Sequence, residues 1–144
     1  MDPFIEKKVA QFEAYVNEVL QEDLKKLELK LNEKNAETAE FLQLKSTISA
    51  LKSMRSESNK GFKTKLDIGN NFYVQAEVED ASTILLDVGL GHFVEFTLDE
   101  AVVVINVRLK LLDRQVKNIR RESAKTKAHI KLILMSIMEL QGMK

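Results

Sequence analysis

Two glycines one residue apart are the first feature of this sequence that could carry chemistry. Gly89-Leu90-Gly91 lies in an apolar stretch that ends at the acidic pair Asp99-Glu100, and glycine-rich loops can cradle phosphates with backbone N–H groups. A P-loop needs a lysine and a hydroxyl after its second glycine, whereas His92 and Phe93 follow here. A dinucleotide-binding loop needs a third glycine and opens directly into a helix. The pattern therefore favours a tight turn between strands, where glycine accepts positive φ.

The other residue types that carry chemistry are scattered. His92 and His129 are the two histidines, and no acid or nucleophile stands beside either at a recognisable spacing. Asp99 and Glu100 resemble a paired acid site, but the first turn of a helix favours acids anyway, and Thr97 is a good N-cap before them. Cysteine is absent, which excludes disulfides and thiolate metal sites. We expect no enzymatic activity, no cofactor and no metal.

Composition limits the classes of partner. The chain of 144 residues has the size of one domain, and its 22 basic and 22 acidic residues give a net charge of zero. Composition alone shows no basic face, so we expect no direct nucleic-acid partner. The sequence contains no signal-peptide pattern and no 18-residue apolar stretch, so we expect a soluble intracellular protein with no membrane partner.

The C-terminal part carries the clearest periodic pattern. Seam positions alternate by four and three residues, as in a coiled coil, and all but Ser123 and Thr126 are apolar. They are Leu98, Val102, Ile105, Leu109, Leu112, Val116, Ile119, Ser123, Thr126, Ile130, Ile133, Ile137 and Leu140. Thr97 with Glu100 forms a capping box, and Gly142 is a suitable stop. The pattern predicts one helix over 97–142.

The N-terminal part is similar but less regular. Asp2 and Pro3 suit a helix start, and Ser56, Ser58, Asn59 and Gly61 supply the stop. The seam runs through Ile5, Val9, Phe12, Val16 and Val19, shifts by one residue to Leu20, Leu24, Leu27 and Leu31, is interrupted at Lys34 and Thr38, and resumes at Phe41, Leu44, Ile48 and Leu51. Such shifts locally unwind or overwind a coiled coil. We predict a helix over 3–57 that pairs antiparallel with the C-terminal helix. The alternative is two independent helices that pair with other chains.

The middle segment changes its period from 3.5 to 2, which indicates strands. Residues 62–96 read as two hairpins, with turns at Gly69-Asn70 and Gly89-Leu90-Gly91. The predicted fold class is therefore α+β and mostly α. It is a single domain over 1–144, in which a long antiparallel two-helix coiled coil is joined by two β-hairpins.

This order of elements resembles the α-class subunits of prefoldin. The stretches "KLDIGNNFYVQAEV", "ILLDVGLGHFVEFTLDEA" and "KTKAHIKLILMSIMELQGM" carry the resemblance, and "FEAYVNEVLQEDLKKL" and "FLQLKSTISAL" match most closely a branch of that family that is linked with transcriptional regulation. His92 departs from the commoner pattern, in which an aromatic residue follows the second glycine. The resemblance implies a non-enzymatic chaperone or co-chaperone subunit. It implies a hexamer of α-class and β-class subunits that passes unfolded clients to a chaperonin, in the cytoplasm and the nucleus.

Two sets of site residues follow from this fold. Open strand edges and apolar strand residues predict subunit assembly through Leu66, Ile68, Phe72, Val74, Leu86, Val88, Val94 and Phe96. The paired helix ends predict client binding through Phe4, Ile5, Val9, Phe12, Ile133, Ile137, Leu140 and Met143. The methionines there either fill the coiled coil or give an adaptable surface. Two alternatives remain: a transcription-linked scaffold that recruits regulators, and a structural coiled-coil adaptor.

Overall fold

A computed structural model describes residues 2–57 and 61–142. Helix α1 covers Pro3–Tyr15, a π-helical turn covers Val16–Leu20, and helix α2 covers Gln21–Glu57. Four strands follow: β1 Phe62–Asp67, β2 Tyr73–Val78, β3 Thr83–Gly89 and β4 His92–Thr97. Helix α3 covers Leu98–Leu140. The predicted order of a long helix, two hairpins and a long helix is confirmed.

The chain divides into two compact units. The helical unit comprises Met1–Thr38 and Leu111–Lys144, and the hairpin unit comprises Ala39–Lys110. In the helical unit, Val16 and Leu20 form a buried cluster with Ile130, against which Leu24 and Ile133 pack. All thirteen seam positions predicted for the C-terminal helix are buried or half-buried. The heptad pattern therefore identified the packed face of α3 correctly.

The one-residue phase shift in the N-terminal seam coincides with the π-helical turn. Gln21 N–H donates to the carbonyl oxygen of Val16, five residues back, instead of four as in an α-helix. A π-turn accommodates one extra residue without ending the helix. As a result, both Val16 and Leu20 are buried while Val19 is 41% exposed. The seam therefore passes from Val16 directly to Leu20, and the predicted seam position at Val19 is wrong.

The two threonines along the seams form hydrogen bonds within their own helices. Thr38 Oγ1 donates to the carbonyl oxygen of Lys34 at 2.8 Å, and Thr126 Oγ1 donates to that of Glu122 at 3.0 Å. Because a buried hydroxyl without a partner would be costly, these bonds explain how threonine fits an otherwise apolar seam.

In the hairpin unit, α2 and α3 pack antiparallel. Ile48 and Ile105 are fully buried in one cluster with Leu86, Leu98 and Ala101. Two polar contacts flank this cluster: Lys45 Nζ donates to Asn106 Oδ1 at 2.7 Å, and Lys52 Nζ lies 2.6 Å from Asp99 Oδ1. From the first of these contacts to the second, the residue on α2 moves seven positions forward, from 45 to 52, and the residue on α3 moves seven positions back, from 106 to 99. The helices therefore run in opposite directions in this unit, one heptad between contacts.

The two hairpins share one turn design. Asp67 accepts a hydrogen bond from Gly69 N–H, and Asp87 accepts one from Gly89 N–H, both at 2.8 Å. The two residues at each turn, Asn70-Asn71 and Leu90-Gly91, all have positive φ, as a type I′ turn requires. In the first hairpin the turn therefore lies one residue later than the predicted Gly69-Asn70. Leu66-Asp67-Ile68-Gly69 recurs as Leu86-Asp87-Val88-Gly89.

The start of α3 is a complete capping box. Glu100 N–H donates to Thr97 Oγ1 at 3.3 Å, and Thr97 N–H donates to Glu100 Oε2 at 3.0 Å. Asp99 pairs with Lys52. Glu100 therefore stabilises the start of α3, as the sequence pattern predicted, whereas the exposed Lys52–Asp99 pair adds little.

Gly61 has a packing role that the sequence did not reveal. A Cβ atom built there would lie 2.3 Å from the carbonyl oxygen of Val78 and 2.7 Å from that of Glu79. These are backbone atoms, which cannot rotate away, so Gly61→Ala should displace the end of β2. We expect the variant to lose about 1–3 kcal/mol of stability and to shift the amide resonances of β1 and β2. Lys63→Ala, on an exposed strand position, is the control and should melt like the parent.

Candidate functional site

Exposed apolar side chains cover both hairpins. We call this set the hairpin surface; it consists of Leu66, Ile68, Phe72, Tyr73, Val74, Leu85, Val88, Leu90, Phe93 and Val94. Phe72 is 68% exposed and Leu85 is 67% exposed, although aromatic and aliphatic residues of this size are usually buried. So many exposed apolar residues on four short strands are typical of a surface that another molecule covers.

The strands also have unpaired edges. Strand β1 pairs only with β2, and β3 only with β4, so the described residues form two separate two-stranded sheets. A two-stranded sheet is marginally stable by itself and leaves N–H and C=O groups free along both edges. Each hairpin can therefore accept a further strand from another chain, and the exposed side chains beside the edge would then be buried.

Most residues predicted for assembly lie on the hairpin surface. Leu66, Ile68, Phe72, Val74, Val88 and Val94 are exposed. Leu86, in contrast, is 5% exposed and packs with Ile48 and Ile105, while Phe96 is half-buried against the same cluster. These two residues face the helices of their own chain, so they anchor the second hairpin and do not lie on an open surface.

The sequence prediction did not include the other face of the second hairpin, which is the face that the helices do not cover. Leu85 and Phe93 are exposed at 67% and 63%. The sequence did carry a signal, because the run Ile84-Leu85-Leu86 is apolar at successive positions instead of alternating. A strand with two apolar faces indicates a sheet that is covered on both sides. In this chain the helices cover one side.

The helical unit carries a second group of exposed apolar residues, which we call the helix-end surface. It consists of Phe4, Leu132, Leu134, Met135 and Met138. Of the residues predicted for client binding, Val9 and Ile137 are buried, and Ile5, Phe12, Ile133 and Leu140 are half-buried in or beside the seam. Met143 lies outside the described residues. Among the described residues of the predicted set, Phe4 is thus the exposed one. The accessible apolar residues of α3 are those that flank the seam.

The residues that could support catalysis are not gathered. His92 and His129 are exposed and belong to different units. Within residues 2–57 and 61–142, no three His, Cys, Asp or Glu side chains are close enough to hold a metal ion. An open depression beside the Lys52–Asp99 pair is lined by Ser82, Thr83 and Thr97, and its two charged groups already contact each other. The arrangement is suited to binding through apolar surfaces and strand edges.

A comparison with protein families agrees with this fold. The family model described as "Prefoldin subunit" matches residues 20–142, which include both hairpins and α3. The chain belongs to the prefoldin family. The resemblance drawn from the hairpin and C-terminal motifs is thereby confirmed.

Curated relatives extend over nearly the whole chain. The chain is 37% identical over 139 residues to Protein UXT homolog of Nematostella vectensis, which covers 96% of this chain and 87% of that protein. It is 33% identical over 138 residues to Protein UXT of Homo sapiens, with 96% and 86% covered. Prefoldin subunit alpha of Pyrococcus horikoshii is 27% identical over 128 residues, with 89% and 84% covered. UXT proteins are thus more similar to this prefoldin-family chain than that archaeal α subunit is.

A solved structure shares the fold. It is a chain of filamentous prefoldin from Methanocaldococcus jannaschii, with a TM-score of 0.68, 19% identity, and coverage of 84% of this chain and 97% of that one. At this identity the match establishes the architecture alone. It confirms the predicted fold class, with long helices joined by two hairpins.

The net charge of zero conceals an uneven distribution. Between Leu111 and Lys131 of α3 there are seven basic residues and two acidic residues, a net charge of +5. Arg114 and Arg121 have no ion-pair partner among the described residues, whereas Lys117 and Lys125 pair with Asp113 and Glu122 on the same helix. The balanced overall composition therefore hid a basic segment of α3, and the absence of a nucleic-acid partner stays a prediction. No helix in the described part of the chain is long and apolar enough to cross a membrane.

Proposed function

We propose that this prefoldin-family chain is a non-catalytic α-class subunit of a chaperone or co-chaperone complex. It assembles through its hairpins with β-class and other α-class subunits, in a hexamer of two α and four β chains. It needs no cofactor. The hairpin surface carries the proposal, because two separate two-stranded sheets present open edges together with ten exposed apolar side chains. Strands of neighbouring subunits would satisfy those edges and cover that surface.

The proposed clients are unfolded proteins, and the proposed site is the helix-end surface. Leu132 and Met135 are 60% and 58% exposed, and Leu134 and Met138 lie beside them on α3. Non-native chains expose apolar segments of varied shape, and flexible thioether side chains can adapt to them. The complex would hold such clients and transfer them to a chaperonin, in the cytoplasm and in the nucleus.

The alternative function is a transcription cofactor that acts as a scaffold for regulatory proteins. The higher identity to UXT proteins supports this alternative, because UXT proteins are the branch of the family whose resemblance implied a link with transcriptional regulation. A scaffold would use the same assembly surface but would not need to capture unfolded chains. Suppression of aggregation distinguishes the two functions.

The test uses the chain co-purified with β-class prefoldin subunits. We expect the complex to suppress the aggregation of a chemically unfolded model protein diluted from denaturant, as measured by light scattering. A stable complex that leaves aggregation unchanged would contradict the chaperone function and favour the scaffold. Failure to form any complex would contradict both.

Removal of the helix-end surface should weaken client capture. We expect Leu132→Ser with Met135→Ser and Met138→Ser to lower capture by about tenfold, because apolar contact area would be lost at three exposed positions. Leu29→Ser is the matched control, since Leu29 is a 64% exposed apolar residue on α2 in the same unit. The complex should assemble normally in both variants. Equal capture by the triple variant and the parent would place the client site elsewhere.

A further inference from the structure

Leu90 combines two unfavourable properties in one residue. Its φ is +55°, in the left-handed region that costs energy for residues with a Cβ atom. Its side chain is 99% exposed at the turn between β3 and β4, so it gains nothing from packing within the described chain. A strained, fully exposed leucine that makes no compensating contact within its own chain is an outlier that points to a role outside the chain.

The first hairpin provides an internal comparison. Asn70 occupies the equivalent turn position, twenty residues earlier, with a φ of +52°. Asparagine adopts this conformation readily, because its short polar side chain can form local hydrogen bonds. The same turn can thus be built with a residue that suits it. The presence of leucine at 90 is not explained by the backbone of the turn.

We infer that Leu90 is an anchor residue that inserts into an apolar pocket on a neighbouring β-class prefoldin subunit. This inference rests on the proposed function and refines it to one side chain. The neighbouring residues on the hairpin support this occupant: Val88 is 50% exposed and Phe93 is 63% exposed, so Leu90 extends the hairpin surface to the end of the turn. An exposed leucine becomes favourable only when another apolar surface removes it from water.

The inference also assigns different roles to the two turns. The turn of the second hairpin contacts a partner through Leu90. The turn of the first hairpin carries Asn70 and Asn71, two polar residues that suit water. This asymmetry would orient the chain among its neighbours, because only one of the two turns carries an exposed leucine.

The test compares Leu90→Asn with Leu90→Met in the full chain co-expressed with β-class subunits. Leu90→Asn installs the residue that the first hairpin uses, so the melting temperature of the chain should stay the same or rise. Its affinity for the β-class subunits, measured by native mass spectrometry across a dilution series, should fall by about tenfold. Leu90→Met keeps an apolar side chain of similar size and should keep the parental affinity.

Each other outcome contradicts the inference in a recognisable way. If the parent forms the complex and Leu90→Asn forms it with equal affinity, Leu90 is not an anchor, although the proposed function still holds. If Leu90→Asn weakens only client capture or only self-association, the pocket belongs to a client or to a second copy. If the parent itself forms no complex with β-class subunits, the proposed function fails, and the inference fails with it.

Discussion

The Ile105→Asp variant is expected to lose most of its cooperative folding in the hairpin unit. Ile105 is fully buried and packs with Ile48, Leu98 and Ala101, so the new carboxylate would lie among apolar side chains and out of contact with water. Burial of an unpaired charge costs about 4 kcal/mol or more. For a chain of this size the melting temperature should fall by more than about 10 °C, as measured by circular dichroism.

The control for this variant lies two residues away on the same helix. Val103 is 63% exposed, and Val103→Asp changes the same kind of side chain into the same carboxylate at a position that water reaches. Its effect should stay within about 0.5 kcal/mol, because valine and aspartate have similar helix propensities. Equal melting temperatures for Ile105→Asp and Val103→Asp would contradict the burial of Ile105 between α2 and α3.

The helices could be predicted from the sequence because their packing repeats. The heptad pattern identified the packed face of α3, because all thirteen seam positions between Leu98 and Leu140 are buried or half-buried. The capping box located the start of the helix at Thr97. The phase shift near Val16 was visible, but its form was not. A seam can absorb one extra residue in several ways, and only the hydrogen bond from Gln21 to Val16 shows that this chain uses a π-turn.

The hairpins were harder to predict because alternation does not say what covers each face. The period-2 pattern placed Leu86 and Val94 in strands, yet it could not show that the helices of the same chain bury Leu86 and leave Val94 41% exposed. That difference depends on contacts between residues distant in sequence, such as Leu86 with Ile48 and Ile105. Gly61 was likewise interpreted as a helix stop, whereas its close contact with Val78 requires the pairing of β1 and β2.

The burial of Leu86 changes how assembly through the hairpins should be tested. Leu86→Asp would place a charge in the core of the hairpin unit and would unfold it, so a lost complex would say nothing about an interface. Val74 and Phe93 are better positions, because they are 47% and 63% exposed and lie on different hairpins. At exposed positions a carboxylate is hydrated in the isolated chain. Phe93→Asp also faces Asp87 across the hairpin, and this like-charge pair should cost only about 0.2–1 kcal/mol.

The Val74→Asp/Phe93→Asp variant is therefore expected to fold and to fail in assembly. Both carboxylates would lose their water when a neighbouring subunit covers the hairpins, and the apolar contacts of valine and phenylalanine would be lost as well. We expect the affinity for β-class subunits to fall by more than about 100-fold, as measured by analytical ultracentrifugation. Gln75→Asp, at an exposed polar position of β2, introduces a carboxylate without removing an apolar side chain and should preserve the complex. A double variant that still sedimented as the parental complex, with its helices intact, would show that subunits assemble through another surface and that the open strand edges serve some other partner.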